Sequence, residues 1–177
     1  RINSQSGKGG IAFILEKDHG VALPRRLQIN LSEKVQKVAD ETGKEVMSRD
    51  VWKVFEKNYI AVEGKLELTN YTLSSSEDSD GNTSDQVKIT LKDQKDEIIL
   101  SGVGGGPIEA FVSAVNNHFL TSISVSDYHQ HSVTSGADAK AAAYIELTQE
   151  GRNEWGAGID GNTVKASFQA IVAGLNK

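Results

Sequence analysis

A chain of 177 residues with net charge −5 and an ordinary apolar fraction is long enough to bury a core. Its acidic balance, with no basic run interleaved with aromatics, argues against a nucleic-acid partner. The sequence has no cysteine, which excludes disulfides and thiolate chemistry, and no apolar run nears the roughly 20 residues that span a bilayer. No signal-peptide pattern is visible, and a start at Arg1-Ile2-Asn3 reads as a piece cut from a longer polypeptide.

In chain order, residues 3–10 read as a polar glycine turn leading into a short helix at 11–15. Gly7-Lys8-Gly9-Gly10 lacks the first glycine of a phosphate loop and the Ser or Thr after the lysine, so a helix-capping or contact turn is preferred. Pro24 opens a helix that runs to Gly43, with Leu27, Leu31, Val35 and Val38 on one face. Arg25 and Arg26 sit in its first turn against the dipole preference; solvent-exposed charges are the default reading, and an acidic surface elsewhere is the alternative. Ser48 is read as the cap of the next helix, whose stripe Val51, Trp52, Phe55 and Tyr59 reads as core. Residues 1–62 thus form a small helical subdomain.

After Gly64 the period changes to alternation, and residues 63–177 form a second domain. Leu66, Leu68, Tyr71 and Leu73 predict a strand that ends in the acidic, serine-rich stretch 74–82. That stretch lacks the spacing and closing glutamate of a calcium loop and reads as a solvated hairpin tip. Val87, Ile89 and Leu91 mark a second strand, and Ile98 to Leu100 a third. A glycine turn and a helix at 107–117 follow. The order then repeats: a strand through Ile123 and Val125, a second over 139–147, a third over 155–159, glycines again, and a helix carrying Val164, Phe168, Ile171, Val172 and Leu175. The helices match in detail, Phe111-Val112-x-x-Val115-Asn116 against Ile171-Val172-x-x-Leu175-Asn176. The fold class is α+β: a helical N-terminal subdomain, then a tandem β-β-β-α repeat with pseudo-two-fold symmetry that brings both glycine turns together, near a second copy of the chain.

His129 and His131 share one side of a strand, but no third His or Cys completes a metal site, and hydrogen bonding is the preferred role. Ser126, His131 and Asp138 spell a nucleophilic set without a nucleophile elbow, and the set is rejected. No catalytic residue is assigned. Gly102-Val103-Gly104-Gly105-Gly106-Pro107 holds more glycine than a turn requires. With Pro107 at the first helical position it leaves a helix N-terminus carrying free donors, suited to a carboxylate. Ala139, Ala141, Ala142 and Ala143 leave room beside it for an aliphatic tail, and carbonyls or Asp127 offer themselves to an ammonium group. Together these suggest a small branched amino acid. A phosphate-using enzyme fits less well, because three strands precede the helix where a βαβ unit is required. A purely structural dimerisation domain is the third reading.

At this point the sequence resembles a known family. The runs 1–10 and Leu23-Pro24-Arg25-Arg26-Leu27-Gln28 resemble the segment after the catalytic barrel of 2-isopropylmalate synthases. The run 102–111, Asp127-Tyr128-x-x-His131 and Ser135-Gly136-x-Asp138-Ala139-x-Ala141-Ala142-Ala143-Tyr144 resemble their C-terminal leucine-sensing domain. The likeness covers almost the whole chain except the acidic loop. It implies a fragment of a cytoplasmic acyltransferase that condenses acetyl-CoA with 2-oxoisovalerate. The divalent metal would belong to the upstream barrel, with no cofactor in this segment. It also implies a homodimer under feedback inhibition by leucine, contacted by Gly104, Gly105, Gly106, Ile108, Val125, Tyr128, Ser132, Ala139 and Ala141. Gly105 stands where asparagine is common in the family, and Ser132 where some members have alanine. Related citramalate synthases share the domain type and answer to isoleucine.

Overall fold

The computed structural model describes residues 8–133 and 139–177. The chain opens with three helices, α1 (Lys8–His19), α2 (Arg25–Thr42) and α3 (Ser48–Phe55), the last continuing as a π-helical turn over Glu56–Ile60. Gly9 and Gly10 lie inside α1, where the sequence suggested a turn. Burial of Ile11 and Leu15 outweighs the helix cost of roughly 1 kcal/mol per glycine. Pro24 fills the N-cap position of α2, and Gly43 ends it at φ 65°, its N–H returning to the Ala39 carbonyl at 2.9 Å. Ser48 is not the cap of α3. Met47 holds that position, and the Asp50 carboxylate reaches back to the Met47 N–H at 2.9 Å. The Ser48 hydroxyl instead meets His19 Nε2 at 3.3 Å.

Two antiparallel three-stranded sheets follow, β1 (Leu66–Glu77), β2 (Thr83–Asp93) and β3 (Asp96–Gly104), then β4 (Ser124–Val133), β5 (Lys140–Gln149) and β6 (Arg152–Asp160). Helix α4 (Pro107–Phe119) follows the first sheet and α5 (Thr163–Leu175) the second. A β-bulge interrupts the first strand of each unit, between Leu68 and Asn70 and between Val125 and Asp127. Each bulge restores an apolar phase that slips by one residue, so Leu66 and Leu68 share a face with Tyr71 and Leu73. The tip of the first hairpin is held by Asp78, whose Oδ1 accepts from the N–H groups of Asp80 and Asn82, both at 2.9 Å.

Helices α4 and α5 lie between the sheets, and Phe168 packs tilted against Phe111 at 4.7 Å and meets Tyr71 edge-on at 5.0 Å. Their close approach explains the excess of glycine. A Cβ on Gly102 would stand 2.2 Å from the Ala110 carbonyl oxygen, and one on Gly156 would stand 1.9 Å from that of Ala170. The outer face of the second sheet is also covered. Ala142, Tyr144, Trp155 and Ala157 pack into one core with Leu15, Leu27, Leu31, Phe55 and Tyr59 of the helical unit. There Glu146, almost fully buried, receives Arg26 at 2.7 Å and the Ser126 hydroxyl at 2.7 Å, so the arginine does meet an acid.

Candidate functional site

The two repeats differ at one place that matters. Helix α4 starts at Pro107, nine positions before Asn116, whereas α5 starts at Thr163, thirteen positions before the matching Asn176. The first repeat therefore lacks one helical turn that the second has. Asn162 caps α5, its side chain accepting from the Lys165 N–H at 3.1 Å, while no side chain caps α4 at Gly106. The amides of Ile108 and Glu109 therefore have no capping side chain at an N-terminus carrying about half a positive charge.

A cavity of about 620 Å³ opens at this end of α4. Gly105, Gly106, Pro107, Ile108 and Glu109 form one wall, Thr163, Val164 and Ser167 of α5 another, and Tyr128 and Gln130 of β4 the floor. The first turns of both helices thus face one space, as the pseudo-symmetry suggested. The Tyr128 hydroxyl bonds Gln130 Oε1 and lies 3.3 Å from the hydroxyl of Ser167, which in turn donates to the Thr163 carbonyl at 3.1 Å. Pro107, Ile108 and Val164 supply apolar wall. At the rim the Gly105 N–H donates to Glu109 Oε2 at 2.9 Å. The arrangement offers amide donors and a dipole to an anion, hydroxyls to a second polar group and apolar side chains to a tail. It contains no nucleophile paired with a base.

Of the residues expected in the site, Gly105, Gly106, Ile108 and Tyr128 line this cavity. Gly104 belongs to the helix packing, since a Cβ there would stand 2.6 Å from the Ala110 nitrogen. Val125 shares the Tyr128 face through the bulge but is drawn into the inner core. Ser132 and Ala141 pair with each other on that face, beyond Gln130, and Ala139 lies exposed just before β5; none of the three is a wall of the cavity. Ala142 and Ala143 leave no gap, because they are buried against helices on opposite faces of β5. Asp127 does not face the cavity either. It holds His129 Nε2 at 2.9 Å and accepts from the Tyr128 N–H.

Sequence reasoning missed Glu109, Gln130, Thr163, Val164 and Ser167. Gln130 was reachable by alternation from Tyr128, and Thr163 and Ser167 by matching the start of α5 to that of α4; nothing local marks Glu109. His131 Nε2 accepts from the Ala22 N–H at 3.2 Å and lies 2.7 Å from the Tyr144 hydroxyl, while Nδ1–H donates to the Ser132 carbonyl at 3.0 Å. Both histidines are thus engaged, and among the described residues no three acidic or histidine side chains converge as metal ligands. Asp138 lies outside the described residues. Among the described residues no helix is long and apolar enough to cross a membrane.

A tandem β-β-β-α module with a cavity between its helix starts defines the architecture of residues 66–175. The family model of the LeuA allosteric (dimerisation) domain matches residues 45–177, and the chain belongs to that family. It is 40% identical over its whole length to the 2-isopropylmalate synthase of Mycobacterium leprae, of which it spans 29%. It is 42% identical to the 2-isopropylmalate synthase of Cupriavidus taiwanensis, of which it spans 30%. The chain thus spans under a third of the length of the relatives it matches.

Proposed function

We propose that this chain is the C-terminal effector-sensing part of a 2-isopropylmalate synthase. Its effector is leucine, held in the cavity between the starts of α4 and α5. One observation carries the reading: the uncapped first turn of α4 faces a partly apolar cavity floored by Tyr128. The effector carboxylate takes the amides of that turn, its side chain packs on Ile108 and Val164, and its ammonium group lies toward the hydroxyls of Tyr128 and Ser167. Catalysis, the condensation of acetyl-CoA with 2-oxoisovalerate, belongs to a separate metal-dependent barrel in the cytoplasm. This segment, with a helical part to residue 62 and a regulatory part from 63, performs none.

Leucine inhibits only if it binds one conformation better than another. Helix α5 runs from the cavity to the helical unit, where Lys177 lies over the Tyr59 ring at 4.2 Å and donates to the Trp155 carbonyl. A shift of α5 on effector binding is therefore felt by the helices that join the barrel. The chain acts as a homodimer, in keeping with the dimerisation role in its family's name.

A thermal-unfolding series with leucine, isoleucine, valine and glycine tests this. Leucine at about a hundred times its Kd stabilises the fold by roughly 2.7 kcal/mol and raises Tm, and glycine does not. A larger rise with isoleucine reassigns the domain to the citramalate-synthase type. No rise with any branched amino acid, in a chain that still dimerises, favours the second reading, a dimerisation domain that senses nothing. The hold of Glu109 on the Gly105 N–H favours that reading.

A further inference from the structure

We propose that Glu109 decides which anions enter the cavity: it rejects simple carboxylates and admits zwitterions. The proposal rests on the effector-site reading above and concerns a residue which that reading leaves without a role. Glu109 sits in the first turn of α4, is exposed, and is the one acidic side chain among the described residues that line the cavity. Its Oε2 accepts from the Gly105 N–H at 2.9 Å, at the glycine turn itself, and a Cβ on Gly105 would come within 3.0 Å of the same oxygen. The glycine turn leading into the uncapped helix start is therefore not free of negative charge. One of its donors already holds a carboxylate belonging to the chain.

An entering carboxylate meets that negative charge at short range. A ligand that is only an anion displaces Glu109 or endures its repulsion, and gains nothing in exchange. A zwitterion brings its own cation. As the ligand carboxylate takes the amides, Glu109 turns to the ammonium group, and one charge-assisted hydrogen bond replaces another. Among the described residues no other carboxylate lines the cavity, and Asp127 is held by His129. The remaining polar groups, Tyr128, Gln130, Thr163 and Ser167, are neutral and do not distinguish a zwitterion from an anion by charge. Discrimination by charge falls to Glu109.

Calorimetric titration of the 177-residue chain and its Glu109→Gln and Glu109→Ala variants, each with leucine and with 4-methylpentanoate, tests this. The second ligand is leucine without its amino group. The expected result is a strong preference of the native chain for leucine. In both variants the ratio of the two Kd values falls about tenfold or more, because 4-methylpentanoate binds more tightly and leucine loses its ammonium partner. An unchanged Tm in both variants verifies their fold, since the side chain is exposed. If leucine binds the native chain and the ratio stays the same in both variants, the role of Glu109 is overturned and the effector site stands. If neither ligand binds any of the three proteins, the effector site fails, and the role of Glu109 with it.

Discussion

Asn176 holds both backbone groups of Leu66, 110 positions earlier: Oδ1 accepts from the Leu66 N–H at 3.0 Å, and the side-chain amide donates to the Leu66 carbonyl at 2.9 Å. Asn116 makes the same pair of bonds to Ile123, at 2.8 and 2.9 Å. Each helix therefore ends in an amide that fixes the chain at the entry to a strand, α4 for β4 and α5 for β1. The repeat is closed on itself by these two clamps, and a Cβ on Gly64 would stand 2.4 Å from the Asn176 side chain. Replacing Asn176 with Ala leaves two part-buried backbone groups unpaired, and urea unfolding is expected to show a loss of about 2 kcal/mol. Asp at this position keeps the acceptor and loses the donor, so its cost is expected to be roughly half that.

The glycines divide by the space around them. Gly156→Ala forces a methyl to within 1.9 Å of a backbone oxygen, a displacement the helix and strand do not absorb locally. The expected cost is about 3 kcal/mol or more, read as a large fall in Tm or loss of folded protein. Gly106 has nothing within 4 Å of a Cβ, and its φ of −157° is extended backbone open to any residue. Gly106→Ala is expected to change Tm by no more than a few tenths of a kcal/mol equivalent.

Glu146 is a carboxylate taken out of water and matched by the Arg26 guanidinium and the Ser126 hydroxyl. Arg26→Met removes the cation and leaves the charge buried. Because the arginine is itself half exposed, the expected loss falls below the usual range for a buried pair, at about 2 kcal/mol by denaturant melts. Arg26→Met together with Glu146→Leu is expected to recover most of that loss.

Burial pulls the Lys177 amine down to about 8 from its ordinary value of 10.5. Between those two pH values the unfolded chain binds the proton and the folded chain does not, so stability rises with pH across that window. Below pH 8 both forms carry the charge and the slope vanishes. The Tyr59 and Tyr144 phenols, raised chiefly by burial, oppose the trend only above about pH 10, where the unfolded phenol ionises. Urea midpoints taken from pH 8 to 10 are expected to climb in the native chain, and the Lys177→Met variant is expected to lack that part of the climb.

The doubled architecture was legible because two physical signals coincide, the switch from helical to alternating period after Gly64 and the matched helix endings at Asn116 and Asn176. The glycine run was legible as a turn but not as packing. A sequence does not say that Gly102 and Gly104 face the backbone of the helix they precede. The same blindness misplaced the small residues of β5. Alanine in a strand marks close approach, and here helices approach from both sides, leaving no pocket beside them. Val125, Ser132, Ala139 and Ala141 were assigned by resemblance, and only Val125 and Tyr128 needed a bulge to share a face. An acceptor for an ammonium group was sought at carbonyls or at Asp127, which directly follows a bulge and faces away from the cavity. A motif carries neither bulge nor face, which is why Glu109, on the cavity wall, was not connected with an ammonium group.

Central to the proposed function is binding of a branched amino acid's carboxylate at the start of α4. Calorimetric titration of leucine into the native chain and into Gly106→Asp tests it most directly, since Gly106 has room for the added side chain. Saturable heat with leucine in the native chain, and none in a variant whose melting curve is unchanged, is the expected result. Equal heat in both proteins, or no heat in either with leucine, isoleucine or valine, contradicts it.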